Sequence, residues 1–231
     1  MTDNLENNLI ELENVYQHLK NFNNNDNDDR NKLSIVKGKL KYFHYDCDNF
    51  NDAGWGCGYR TTQTLCSWIR NQLLKSNPNS LNLPQVPTIL EMQKILVDSG
   101  DKSSRFVGSR EWIGCFESSI IIDTLYDISS KILHSSNNSL LSSIQSINDH
   151  FVKFGSPIMM GGDLDNASKA ILGVLNDDKF LVVDPHFLKR KDSQVSIDEL
   201  IENSWISWQD VNQYNTNNSF YNFCMPQLKY T

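Results

Sequence analysis

The period of the hydrophobic pattern changes at Gly155, and this constrains the fold more than any other feature of the 231 residues. Before it, apolar residues recur at three- and four-residue intervals. After it, "PIMMGG", "AILGVL" and "KFLVVDPHF" are short apolar or alternating runs divided by turn formers, which read as strands. Helices early and strands late predict an α+β fold, a mostly antiparallel sheet flanked by helices. No internal repeat is present.

The early part divides further. Leu5, Leu9, Leu12, Tyr16 and Leu19 form one stripe, predicting an amphipathic helix that either packs on the domain or docks an adaptor. Next, "NFNNNDNDDRN", from Asn21 to Asn31, is too polar to offset the entropy of ordering it and reads as a flexible linker. Residues 1–32 are therefore expected to form an arm, and 33–231 the main domain. The main domain should open with one or two short strands in "KLSIVKGKLKYFHY". Helices are expected from Gly56 to about Lys75, from Thr88 to Ser99 with Glu91 in the first turn, and from Cys115 to Ile128. A fourth should carry Leu141, Ile144, Ile147 and Phe151 on one face.

Composition excludes some functions. The formal charge of −7 falls to −3 once residues 1–32 are set aside, and no basic stripe suits a nucleic acid. No run of about 18 apolar residues and no leader pattern is present, so no transmembrane segment is expected and the default address is cytoplasmic. Cys47, Cys57, Cys66, Cys115 and Cys224 are odd in number and irregularly spaced. Free thiols are expected rather than a disulfide framework or a zinc site.

Among them Cys57 stands apart, in "NDAGWGCGYRTTQTL". Gly54, Gly56 and Gly58 surround it, so another chain can lie close to its backbone. At a helix start the unpaired amides and the dipole favour thiolate, with values at such sites of roughly 3.5 to 7.5. A thiolate nucleophile needs a base, and the base needs a group to orient it. His18 on the arm and His134 beside a Ser/Asn turn are poor candidates, and His150 near a helix end reads as solvated or capping. His186 differs, because "FLVVDPHF" sets Asp184 two residues before it at a strand end, on the same face. Tyr45, beside His44 and twelve residues before the cysteine, is either a packed aromatic or an oxyanion donor alongside the Cys57 amide.

These segments together carry a resemblance. "YFHYDCDNFNDAGWGCGYRTTQTLCSW", "FVGSREWIG", "MMGGDLDNASKAILGV", "LVVDPHF" and "NNSFYNFC" resemble, in that order, the cysteine proteases specific for the ubiquitin-fold modifier, the UfSP family, in its short form. The resemblance covers about Tyr42 to Cys224 and excludes the arm. It implies a papain-like fold and a thiol peptidase that trims the modifier precursor to its terminal glycine and releases the modifier from its targets. By the same likeness Cys57 is the nucleophile, Asp184 and His186 complete the triad, and Tyr45 stabilises the oxyanion. Trp55, Gly56, Trp112, Gly161 and Gly162 are assigned to substrate contact, with core packing or a strand-end turn as the alternative for the last three. The expected partner is the modifier, as precursor and conjugate, and neither metal nor organic cofactor is called for. The alternatives are an autophagin-like peptidase, which shares Gly-Trp-Gly-Cys and Asp-Pro-His, and a non-catalytic modifier-binding adaptor.

Overall fold

The structure is a computed structural model that describes residues 9–19, 32–78, 82–136, 139–163, 166–189, 195–215 and 219–231. In chain order the strands are β1 Glu11–Leu12, β2 Leu33–Ile35, β3 Leu40–Lys41, β4 Ser130–Ser136, β5 Ile158–Gly162, β6 Ser168–Leu175, β7 Lys179–Val183, β8 Ile206–Asp210 and β9 Phe220–Pro226. The α-helices are α1 Cys57–Ser76, α2 Ile89–Asp98, α3 Cys115–Tyr126, α4 Leu140–Lys153 and α5 Ile197–Glu202. Among the described residues no helix is long and apolar enough to cross a membrane.

The main sheet runs β4-β9-β5-β6-β7-β8, each neighbouring pair antiparallel. Almost every residue of β6 and β7 is buried, not every second one, so both faces of the sheet centre are covered. On one edge of β6, β5 pairs with Ser168–Ile171 and β2 with Gly173–Leu175. Gly173 makes that second pairing feasible, since a Cβ there would lie 2.8 Å from Ile35 Cγ2 and 2.9 Å from Ser34 O. The α+β class expected from the change of period is the one observed.

Helix α1 belongs to two cores. Its middle turns place Leu65, Cys66, Trp68 and Ile69 in the large core against the sheet. Its first turn places Tyr59 in a smaller cluster with Trp55, Met92, Leu96, Phe106 and Ile113. Trp68 is fully buried, yet its indole N–H donates to Lys37 O at 2.7 Å. Helix α2 starts on a capping box in which the Thr88 hydroxyl accepts the Glu91 N–H at 3.2 Å, while the Glu91 carboxylate accepts the Thr88 N–H at 2.7 Å.

Three expectations need correction. Residues 11–18 are not an amphipathic α-helix. Glu11–Leu12 pair with Leu40–Lys41, Asn14 turns the chain at a φ of 50°, and Val15–His18 form a single 3-10 turn. Leu12, Val15 and Leu19 are buried in the large core, so of the two expected fates of the stripe it is packing on the domain that is seen, reached without an α-helix. Tertiary packing has overridden the periodic signal; Leu5 and the run Asn21–Asn31 lie outside the described residues. On α4 the buried stripe is Leu140, Ile144, Ile147 and Phe151, with Leu141 half exposed. His134 lies near the end of β4, two residues before Ser136, whose carbonyl accepts the Ser139 N–H at 3.0 Å; His150 is neither solvated nor a cap, its Nε2 lying 2.7 Å from the buried Ser156 hydroxyl.

Because Leu12 is a core residue, Leu12→Ala should destabilise the chain by about 2–5 kcal/mol, read as a lower urea midpoint. A detachable arm helix would instead leave the midpoint unchanged.

Candidate active site

Cys57 is the first residue of α1, preceded by Gly56 at the N-cap position. It is buried, and its sulfur takes hydrogen bonds from the His186 side chain, the Tyr45 phenol and the Ser168 backbone N–H. These partners come from three distant segments. Asp184 and His186 follow β7 directly, Ser168 opens β6, and Tyr45 lies in the loop after β3.

Two strand-end segments lock the imidazole against the phenol. The Tyr45 N–H donates to Pro185 O at 3.0 Å, Tyr45 makes an isolated bridge with Leu188, and the Tyr42 hydroxyl donates to Asp184 O. His44 packs edge-on against Phe187 at 4.9 Å, and its Nδ1 bonds to Tyr45 O. As a result the Tyr45 ring stands edge-on to the His186 ring, with centroids 5.1 Å apart. Asp184 Oδ1 accepts both the His186 backbone N–H, at 3.0 Å, and His186 Nδ1. That bond fixes the tautomer and leaves Nε2 for the sulfur.

The electrostatics follow from these contacts. Burial alone would raise the Cys57 thiol, but the bonds from His186 and Ser168 N–H, the imidazolium charge and the Tyr45 hydroxyl hold it below its ordinary value. Burial would lower His186, yet the Asp184 and Cys57 bonds carry it up to about 9. Asp184 would rise on burial and is instead held down by His186. Both shifts favour the thiolate–imidazolium form of the pair, the two titrating as a unit.

The sulfur faces a cavity of about 230 Å³ walled by Trp112, Gly161, Gly162, Phe220 and Asn222 among others. Trp112 is 55% exposed, so it is a wall of this cavity and not a core indole. A Cβ at Gly161 would make only ordinary contacts, with Ser168 Oγ at 3.4 Å and Cys115 Sγ at 3.8 Å. Gly162 has a packing reason as well, since a Cβ there would lie 2.4 Å from the Tyr221 ring. Trp55 and Gly56 are not among the described residues that line this cavity. Trp55 packs edge-on against Phe50 and Tyr59 in the smaller core. Gly56 is needed because a Cβ would fall 1.9 Å from Asp52 Oδ2. Ser168, Phe220 and Asn222 were not singled out as individual residues in the sequence; Ser168 acts through its backbone, which leaves no trace in residue type.

An α+β fold of this kind, with a thiolate-prone cysteine opening the central helix and an oriented imidazole at a strand end, defines the papain-like class of cysteine peptidases. The model of peptidase family C78 matches residues 31–224, and the chain belongs to that family. It is 37% identical over 201 residues to mouse Ufm1-specific protease 2, covering 84% of this chain and 41% of that protein. It thus spans about two-fifths of the length of that curated relative. Mouse Ufm1-specific protease 1 is 37% identical over 201 residues, covering 85% of this chain and 87% of that one. The crystal structure of UfSP from Caenorhabditis elegans superposes with a TM-score of 0.73 at 27% identity, over 96% of this chain and 38% of the other.

An NMR titration of the His186 imidazole should show a midpoint near 9. Because Asp184 and Cys57 both raise it, Asp184→Asn and Cys57→Ala should each move the midpoint down, towards the ordinary histidine range.

Proposed function

We propose that this chain is a thiol protease that cleaves after the C-terminal glycine of the ubiquitin-fold modifier, maturing its precursor and releasing it from conjugated proteins. The observation that carries the reading is the Cys57 sulfur, held by His186 and Tyr45 at the wall of a narrow cavity. A volume of about 230 Å³ is small for a drug-sized ligand and suits a slender tail passing over Gly161. The relatives are named for the same modifier, and the match of family C78 over residues 31–224 supports extending that substrate to this chain.

The Cys57 thiolate attacks the carbonyl carbon of the last glycine, and the Tyr45 hydroxyl and the Cys57 N–H receive the oxyanion. Collapse breaks the scissile C–N bond, the imidazolium of His186 giving its proton to the leaving amine. The neutral imidazole then takes a proton from water as the water attacks the thioester; the C–S bond breaks, restoring the thiolate–imidazolium pair, and the freed glycine carboxyl loses its proton to solvent. Asp184 keeps the ring in one orientation throughout. Because the leaving amine needs the His186 proton, hydrolysis should fall on the alkaline side with an apparent pKa near 9.

The experiment is a modifier bearing an electrophilic carbon in place of its terminal carboxylate. It should label Cys57 covalently and leave Cys57→Ala unlabelled, while precursor trimming is lost in the same variant. Tyr45→Phe should retain labelling and lower kcat about 10²-fold, the cost of one oxyanion donor. Tight binding without an adduct would identify an adaptor, and preference for an autophagy modifier in direct competition would move the substrate to that class.

A further inference from the structure

Beneath the site lies a buried charge cluster that takes no part in the steps above. Arg60, one turn into α1 from Cys57, has no exposed side-chain surface, nor has Asp52. The guanidinium donates from Nε to Asp52 Oδ2 at 2.9 Å and from Nη2 to Asp52 Oδ1 at 3.0 Å. It also donates to both oxygens of Asp48, at 2.9 and 2.7 Å, and to Gln63 Oε1 at 3.0 Å. Replacing such a cluster by apolar side chains is often neutral or stabilising, so stability is a poor account of its presence.

What it holds in place is the setting of the nucleophile. Asp52 Oδ1 accepts the N–H of Asp46, the residue next to Tyr45, at 2.8 Å. The Asp52 carbonyl accepts the N–H groups of Trp55 at 3.1 Å and Gly56 at 2.8 Å, the two residues before Cys57. Gly54, in the same turn, donates its N–H to the Tyr45 hydroxyl. Asp52 therefore joins the Tyr45 segment to the turn before the nucleophile, and Arg60 fastens Asp52 to the helix that bears the nucleophile.

We propose that Asp52, locked by Arg60, is a positioning residue that holds the Tyr45 hydroxyl against the Cys57 sulfur. The inference rests on the role given to Tyr45 above, but its test needs no substrate. The groups facing the sulfur are His186, Tyr45 and the Ser168 N–H, with Asp184 behind the imidazole and Asp52 and Arg60 beneath.

Alkylation by iodoacetamide requires the thiolate, so its rate at Cys57 against pH, read by mass spectrometry on the full chain, reports the loss of a donor. Tyr45→Phe should raise the midpoint by about half to one pH unit, the value of one hydrogen bond. Asp52→Asn should raise it similarly, and the double variant should raise it no further. Coulombic attraction alone predicts the opposite sign, because deleting the carboxylate leaves the Arg60 cation uncompensated and favours the thiolate. A midpoint unchanged or lowered by Asp52→Asn, or shifts that add in the double variant, would overturn the proposal. Arg60→Lys keeps the charge but loses the planar fork, and it carries the same expectation and the same refutation if Asp52→Asn does not fold. A chain that alkylates as expected yet trims no modifier precursor would refute the proposed function and leave this inference standing.

Discussion

A thiolate taken out of water survives only where hydrogen-bond donors and a positive charge replace the solvent it has lost. Cys57 is buried, and burial alone would keep it protonated. Each element around it answers that requirement. The helix start supplies unpaired amides, β6 supplies the Ser168 N–H, the loop after β3 supplies a phenol, and the end of β7 supplies an imidazolium whose charge is secured by Asp184. Antiparallel pairing of β6 with β7 brings two of these suppliers within reach of the same sulfur.

The glycines near Cys57 serve different ends. Gly56 gives way to the Asp52 carboxylate, and Gly58 to the backbone of Ile113, whose carbonyl would lie 2.3 Å from an added Cβ. Gly161 lines the cavity, where an added Cβ would meet only ordinary contacts. One composition signal, glycine density around a cysteine, thus combines close packing of α1 with access to the thiol, and only neighbouring atoms separate the two. The same holds for tryptophan, because Trp55 fills the smaller core while Trp112 walls the cavity.

Fold class, the four longer early helices and the strands β5 to β7 were legible because each carries a local period or a local stop signal. The arm misled for a physical reason. Leu12, Val15 and Leu19 are spaced suitably for a helix, but Asn14 and pairing with Leu40–Lys41 bury them by another route. Strands β4, β8 and β9 carried too little alternation to be placed individually. Their identity depends on neighbours far along the chain, above all the pairing of β4 and β9 across seven residues.

Local order in the chain was enough to mark Cys57 as a candidate thiol at a helix start and to join Asp184 to His186, since each of these relations spans at most two residues. Whether Cys57 meets His186 and Tyr45, which indole faces the cavity and which buried carboxylate braces the site were decided by tertiary structure alone. Those relations join segments brought together by sheet pairing and core packing, and the energies that set them come from burial and charge at distances no local pattern encodes.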